Sequence, residues 1–376
     1  GWQLQLRRPD DERAAEWQRE QGAKRQKRAA ATAQHQAVKR IEAPRDVETL
    51  PAQKLFARKK LNGNVNVRIG GATVALTNLD KVYWPDEGYT KGDLIRYYYE
   101  IAPYLSPALE GRPLIMKRYP AGIRGNSFHQ HDVNEAPAFV ATAAVDVEEG
   151  HEVDYIVGGD RATLVYMANL GAIERHPWHS RIERLDRPDW VVFDLDPENV
   201  EFAVVCELAV TTREVLAGLG LESYVKTSGS RGLHVYVPVK SNTHDYAEAA
   251  RFAELVARRV VGERPEVATV ERALKKRKHA RIYLDHMQNA RGKSVVAPYS
   301  VRPRPGAPVS TPLSWDEVKR KKFSPQDFNI KNIAGRLKRT GDLFKPVRDG
   351  KQTLSEALLE LESVFGKQGR AKRGEK

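Results

Sequence analysis

Cysteine is almost missing from the 376 residues; the only one is Cys206. A single thiol excludes an intrachain disulfide and a cysteine-built zinc site, and it fits a reducing compartment. Long apolar runs are also lacking, and none approaches the roughly 18 residues that a membrane-spanning helix needs. The start of the chain has neither the basic leader nor the apolar stretch of a secretion signal. It opens on Gly1 instead of an initiator methionine, so the expectation is a fragment or processed chain acting in the cytoplasm. Repeats are absent. Acidic residues are outnumbered, 49 against 62 Lys and Arg. Hydrophobic residues make up 41% and charged residues 30%, which suits one large or two medium cores carrying polar extensions.

The basic excess is uneven. Residues 1–60 carry a net +7 and residues 319–376 a net +9, leaving −3 for 61–318. Such flanks suit contact with a polyanion; solvated helices and linker account for them equally well. Residues 10–43 favour helix but lack an apolar stripe. Val65–Ile69 and Thr73–Leu76 flank Gly70 and Gly71, the pattern of a hairpin. Thr90 is placed to cap a helix running to about Tyr104, and a last helix is expected over Leu354–Phe365. Strands and helices follow in mixed order between Pro113 and Val301, an α/β pattern.

Three segments carry the chemistry. In Trp190-Val-Val-Phe-Asp194-Leu-Asp196-Pro, strand alternation puts Asp194 and Asp196 on one face and Phe193 and Leu195 on the other. Two adjacent carboxylates repel, and a pair of divalent ions would relieve them and drive phosphoryl transfer. Strand-end aspartates also serve as caps. Tyr224-Val-Lys-Thr-Ser228-Gly-Ser-Arg231-Gly-Leu-His234 reads as strand, turn, strand. Its hydroxyls, guanidinium and free backbone N–H groups fit triphosphate oxygens, although a plain hairpin with a half-buried histidine is the bland alternative. In Ala280-Arg281-Ile-Tyr-Leu-Asp285-His-Met-Gln288-Asn289, Asp285 shares a face with Arg281 and Tyr283 and could complete a carboxylate cluster. The basic run 272–281 is either a solvated helix face or a track for a nucleic-acid backbone.

The order DLD, SGSRGLH, LDHMQNARGKSVVAPYSVR, preceded by LTNLDKVYWPDEGYTKGDLIRYYYEIAPYL, resembles the polymerase domain of bacterial ligase D. That domain is an archaeo-eukaryotic primase relative of non-homologous end joining. The resemblance runs from about Val65 to Trp315, and more loosely to Phe365. It implies an α/β primase-type core with a central, largely antiparallel mixed sheet carrying the aspartates and helices packed around it. It implies a basic linker or helical extension over 1–60, a catalytic domain over 61–318, and a basic C-terminal extension over 319–376 partly packed on the core. It implies Asp194, Asp196 and Asp285 as ligands of two divalent ions, Mn²⁺ or Mg²⁺. Ser228, Arg231, His234 and Arg302 would hold the incoming triphosphate, with His176 near the sugar. Asn78, Lys81 and Lys91 would bind the 5′-phosphate of a gap, and Phe128 would stack on the template. His129 stands where some relatives carry a second aromatic, and Arg231 where a lysine also occurs. The implied activity is nucleotide addition, ribonucleotides preferred, to a primer 3′-hydroxyl at gaps and double-strand-break ends. The implied partners are DNA, nucleoside triphosphates, a Ku-type end binder and a ligase module, with a nucleoid location in bacteria. Two alternatives remain: a non-catalytic DNA-end scaffold, and a haloacid-dehalogenase-type phosphatase suggested by Phe193-Asp194-Leu195-Asp196 but lacking the usual Gly-Thr after it.

Overall fold

The computed structural model describes residues 47–133, 135–148, 151–277 and 281–371. The helix or linker expected over 10–43 lies outside the described residues.

The centre is a six-stranded sheet in the order Ala268–Thr269, Ile282–Asp285, Trp190–Pro197, Leu233–Pro238, Tyr224–Thr227, Pro312–Leu313. Its first pair is parallel and the others are antiparallel, the mixed sheet that the sequence implies. Alternation decides its two faces. Phe193, Leu195, Leu233, Val235, Ile282 and Leu284 are fully buried in one apolar cluster. The helices Phe202–Gly218 and Tyr246–Glu263 cover that face, contributing Val205, Leu208, Phe252 and Val256 to the same cluster. Each such side chain taken out of water stabilises the fold by roughly 1.5–3 kcal/mol. The helix Tyr246–Glu263 begins at a capping box between Asp245 and Glu248, which satisfies first-turn N–H groups that would otherwise be unpaired. The opposite face carries Asp194, Asp196 and His234 at one end, and the buried Trp190, Val192 and Tyr236, packed by Phe344, at the other.

A second, antiparallel sheet has the order Ala172–Pro177, Pro113–Arg118, His151–Val157, Thr142–Glu148, and Phe128–Gln130 also pairs with Pro113–Arg118. It positions Glu174, His176 and Phe128. The hairpin around Gly70 forms from Val65–Ile69 and Ala72–Leu76, with Gly70 at φ +59. Thr49–Pro51 pairs with Val65–Ile69 in parallel, so this small sheet starts before residue 61.

The helix capped by Thr90 runs from Lys91 to Leu109, past the expected end at Tyr104. Pro103 and Pro107 lie inside it and remove backbone donors. Burial of Leu105, Ala108 and Leu109 outweighs that loss. The last helix spans Ser355–Ala371, and Leu354, Ala357 and Leu361 join the main core. Within the basic run 272–281, Leu274–Lys276 is a single 3-10 turn.

Candidate active site

Four polar residues face one another across four adjacent strands. Lys226 is opposite His234, His234 is opposite Asp194, and Asp194 is opposite Asp285. Directly opposed residues on one sheet face sit within side-chain reach. His234 Nε2 lies 3.4 Å from Asp194 Oδ1. The Asp194 carboxyl is pushed up to about 7, by burial first and then by Asp196 and Asp285. Asp196 is exposed two residues on, with its Oδ1 3.8 Å from Arg231.

The three aspartates share a face, but their carboxylates do not converge. Among the described residues no group of three His, Cys, Asp or Glu side chains is gathered as a ready ion cage. Asp285 is committed elsewhere. It accepts hydrogen bonds from Tyr283 Oη at 3.2 Å, the Met287 N–H at 2.8 Å and Gln288 Nε2 at 2.8 Å. The donor set is nonetheless all carboxylate oxygen, which suits a hard divalent ion. A cation there would offset the repulsion that raises Asp194.

The glycine turn closes against the Asp194 strand. A Cβ on Gly232 would fall 2.1 Å from the Leu195 carbonyl oxygen, and one on Gly229, at φ +69, would meet Arg302 Cγ at 2.7 Å. Only glycine permits both approaches. The turn is less open than its sequence suggests. Ser228 Oγ accepts hydrogen bonds from the N–H groups of Ser230 and Gly232, so those two amides are already engaged. The physical reason is that a short hydroxyl side chain bonds to its own turn. His176, Asp194, Asp196, Ser228, Arg231, His234 and Arg302 together line a cleft of about 340 Å³. Asp285 borders Asp194 in the ladder but is not part of that lining.

Glu174 is the residue that the sequence reading passes over. It is 2% exposed, and two cations and a histidine gather around its carboxylate. Arg302 Nε lies 2.8 Å away, His176 Nε2 3.9 Å and Lys117 Nζ 4.0 Å, and Tyr119 Oη donates to it at 3.2 Å. Burial pushes its carboxyl up, but His176, Arg302 and Lys117 outweigh this and hold it at about 2. Lys226 is another missed residue. It is fully buried, and its Nζ lies 2.9 Å from His234 Nδ1 and 2.6 Å from Ser310 Oγ. Only the alternation of Lys226 with Val225 hinted at it. Asn289 is a third. Its side chain bonds the backbone N–H and C=O of Val192, each at 2.8 Å. It continues the ladder where the Asp285 strand has turned away, and so fixes the Asp285 loop to the Asp194 strand.

Asn78, Lys81 and Lys91 cluster apart from this cleft. The Lys91 N–H donates to the Lys81 carbonyl and the Lys81 N–H to the Asn78 carbonyl. Lys81 is exposed, whereas Lys91 is 5% exposed with Nζ donating to the Thr77 carbonyl at 2.7 Å. Burial, then Lys81 and Arg118, lower its ammonium to about 8. The helix start offers no spare amides there. The N–H groups of Lys91, Gly92 and Asp93 are taken by the Lys81 carbonyl, the Leu79 carbonyl and the Thr90 hydroxyl. Phe128 is 46% exposed, with the Arg118 guanidinium 5.2 Å from its ring centroid.

The site is thus a row of in-register polar residues on a mixed, largely antiparallel sheet, beside a glycine turn and a cationic cleft. The comparisons with known proteins carry this to a family. Residues 90–344 match the family described as LigD, primase-polymerase domain. The bifunctional non-homologous end joining protein LigD of Bacillus subtilis is 35% identical over 292 residues, covering 76% of this chain and 46% of that protein. The multifunctional LigD of Mycolicibacterium smegmatis is 33% identical over 301 residues, covering 77% and 38%. The solved polymerase domain from Mycobacterium tuberculosis ligase D, in complex with DNA, superposes with a TM-score of 0.67 at 30% identity, covering 74% of this chain and 99% of that one. The chain belongs to the LigD primase-polymerase domain family. It spans less than half the length of these two curated relatives. The family is one of DNA-directed nucleotidyltransferases, which sets aside the phosphatase. Among the described residues no helix is long and apolar enough to cross a membrane.

Proposed function

We propose that this chain adds nucleotides, ribonucleotides in preference, to a primer 3′-hydroxyl at gaps and double-strand-break ends. The observation that carries the reading is the cross-strand row of His234, Asp194 and Asp285 on the sheet face turned away from the main apolar cluster. Asp194, Asp196 and Asp285 would hold two divalent ions, Mn²⁺ or Mg²⁺. Such ions, when bound, supply charge neutralisation and lower the pKa of the attacking hydroxyl. The chain's own part is positioning and electrostatics. Arg302 and Arg231 can each meet phosphate oxygens through a guanidinium fork, Ser228 retains a hydroxyl hydrogen to donate, and His234 presents Nε2 to the cleft. His176, on the same wall, would face the nucleotide sugar.

Lys81 and Lys91 would bind the downstream 5′-phosphate through their ammonium groups, since the nearby backbone amides are engaged, with the Asn78 carboxamide as a further polar contact. Phe128 would stack on a template base. The solved relative is in complex with DNA, which supports DNA as the partner of this chain. A Ku-type end binder, a ligase module and a nucleoid location follow from the same reading, as does a division into a linker, a catalytic domain and a basic C-terminal extension.

The test is primer extension on a gapped duplex, with each nucleotide type and each metal. Asp194→Ala, Asp196→Ala and Asp285→Ala are compared at equal folded concentration. Each variant is expected to lose extension while keeping the wild-type circular dichroism. Near-normal extension by any one of them would remove that residue from the ion site.

A further inference from the structure

We infer that Glu87 and Trp84 are positioning residues: from one hairpin they hold the loop that carries Arg302 and Arg304 at the wall of the cleft. The inference rests on the reading of Arg302 as a contact of the incoming triphosphate, and adds what keeps the backbone behind that guanidinium in place.

Two hairpins meet here. One pairs Val82–Trp84 with Tyr89–Thr90, and Glu87 lies in the turn between them. Its base carries Lys81 and Lys91, joined by the Lys91 N–H donating to the Lys81 carbonyl. The other is closed at its base by the bridge between Val301 and Val309, and by the Arg302 N–H donating to the Pro308 carbonyl at 2.7 Å. Arg302 and Arg304, from this second turn, both line the cleft of about 340 Å³.

The second turn is tied to the first hairpin at two points. Trp84 Nε1 donates to the Arg304 carbonyl at 2.9 Å, and the Gly306 N–H donates to Glu87 Oε1. The partners stand 220 and 219 positions apart, so neither tie is a by-product of local folding. Behind the turn, the Ile330 N–H donates to the Ala307 carbonyl at 3.3 Å and Pro308 bridges Asn329. Those contacts back the returning limb. The Trp84 bond reaches the outgoing limb, at Arg304 itself.

The residue types argue for this role. Trp84 is fully buried. A phenylalanine would fill most of that space without an N–H that needs a partner, and the partner Trp84 has is the loop carbonyl. The neighbouring Asp86 pairs with Arg124, whereas Glu87 uses Oε1 on the loop N–H. Its Oε2 is buried with no hydrogen-bond partner among the described residues. Leaving a buried carboxylate oxygen unpaired costs free energy, which an ordinary surface glutamate does not incur. The side chain therefore makes sense as an acceptor aimed at the loop. Arg302 is then restrained twice: through its backbone by this loop, and at its head by Glu174, 2.8 Å from Nε. A guanidinium aimed in advance loses less freedom when it closes on a phosphate.

The experiment is single-nucleotide insertion on a gapped duplex by the whole chain, with the nucleotide concentration varied. Glu87→Ala is expected to raise the nucleotide KM about threefold to tenfold, the size of one net hydrogen bond. Its kcat should stay near wild type, because the restraint serves ground state and transition state alike. Glu87→Gln keeps an oxygen for the Gly306 N–H and is expected to restore the wild-type KM, which separates the acceptor from the charge. Trp84→Phe is expected to raise KM to a similar extent; should it fail to fold, the two Glu87 variants, at a half-buried position, decide alone. Arg302→Ala is run beside them. An unchanged KM in Arg302→Ala overturns the reading of Arg302, and the inference with it. A KM that Arg302→Ala raises and Glu87→Ala does not overturns the inference alone, as does a Glu87→Gln variant as impaired as Glu87→Ala.

Discussion

Glu174→Gln is the substitution whose outcome the structure fixes most closely. The carboxylate is buried and is held at about 2 against an ordinary 4.5, by His176, Arg302 and Lys117 acting against burial. That difference, at roughly 1.4 kcal/mol per pKa unit, corresponds to about 3 kcal/mol of native-state stabilisation by the charged form. The folded pKa is depressed, so the contribution is complete above pH 4.5 and is lost as pH falls from there towards 2. The glutamine keeps the shape and loses the charge, and the buried Arg302 Nε, 2.8 Å away, is left without its counter-charge. Urea unfolding should therefore place the variant about 3 kcal/mol below wild type at pH 7. The gap should be the same at pH 6 and should narrow only below about 4.5. Extension kinetics should show a raised nucleotide KM, because Arg302 loses the anchor that aims it across the cleft, with binding to DNA alone unaltered. A gap under about 1 kcal/mol at pH 7, or one that widens on acidification, would refute the reasoning, since either means that the cations do not stabilise the ionised form.

Three further outcomes are expected. Asn289→Ala strips hydrogen bonds from the buried N–H and C=O of Val192 and should cost about 2–5 kcal/mol in denaturant unfolding; extension should fall with it as the Asp285 loop loosens, and wild-type stability in this variant would discount the clamp. Lys81→Ala/Lys91→Ala should abolish the preference for a 5′-phosphorylated gap in competition binding while leaving extension of an ungapped primer intact, and a preserved preference would move the phosphate site elsewhere. Deleting residues 1–46, which leaves Thr49–Pro51 and its sheet whole, should weaken binding to any DNA and flatten the slope of log K against log salt by about 0.7–0.9 for each phosphate no longer neutralised; an unchanged slope would make that segment a tether that does not touch DNA.

The sequence by itself determined a good deal of this protein. Strand alternation set Asp194 and Asp196 against Phe193 and Leu195, because successive side chains in a strand leave on opposite sides. The glycine spacing in Ser228–His234 located the turn, and the Thr90 cap located a helix start. These are local rules, satisfied within a few residues. That helix runs on past Tyr104 because Leu105, Ala108 and Leu109 are buried, which a short local pattern does not reveal. The site's inner architecture required the tertiary structure. Lys226 meets Ser310 across 84 positions, Asn289 meets Val192 across 97, and Glu174 meets Arg302 from a different sheet than the one that carries the aspartates. No local pattern encodes such meetings, since they depend on strand order, register and chain closure. Register also decided that Asp285 stands opposite Asp194, and a slip of one residue would have sent its carboxylate to the other face of the sheet, into the apolar core.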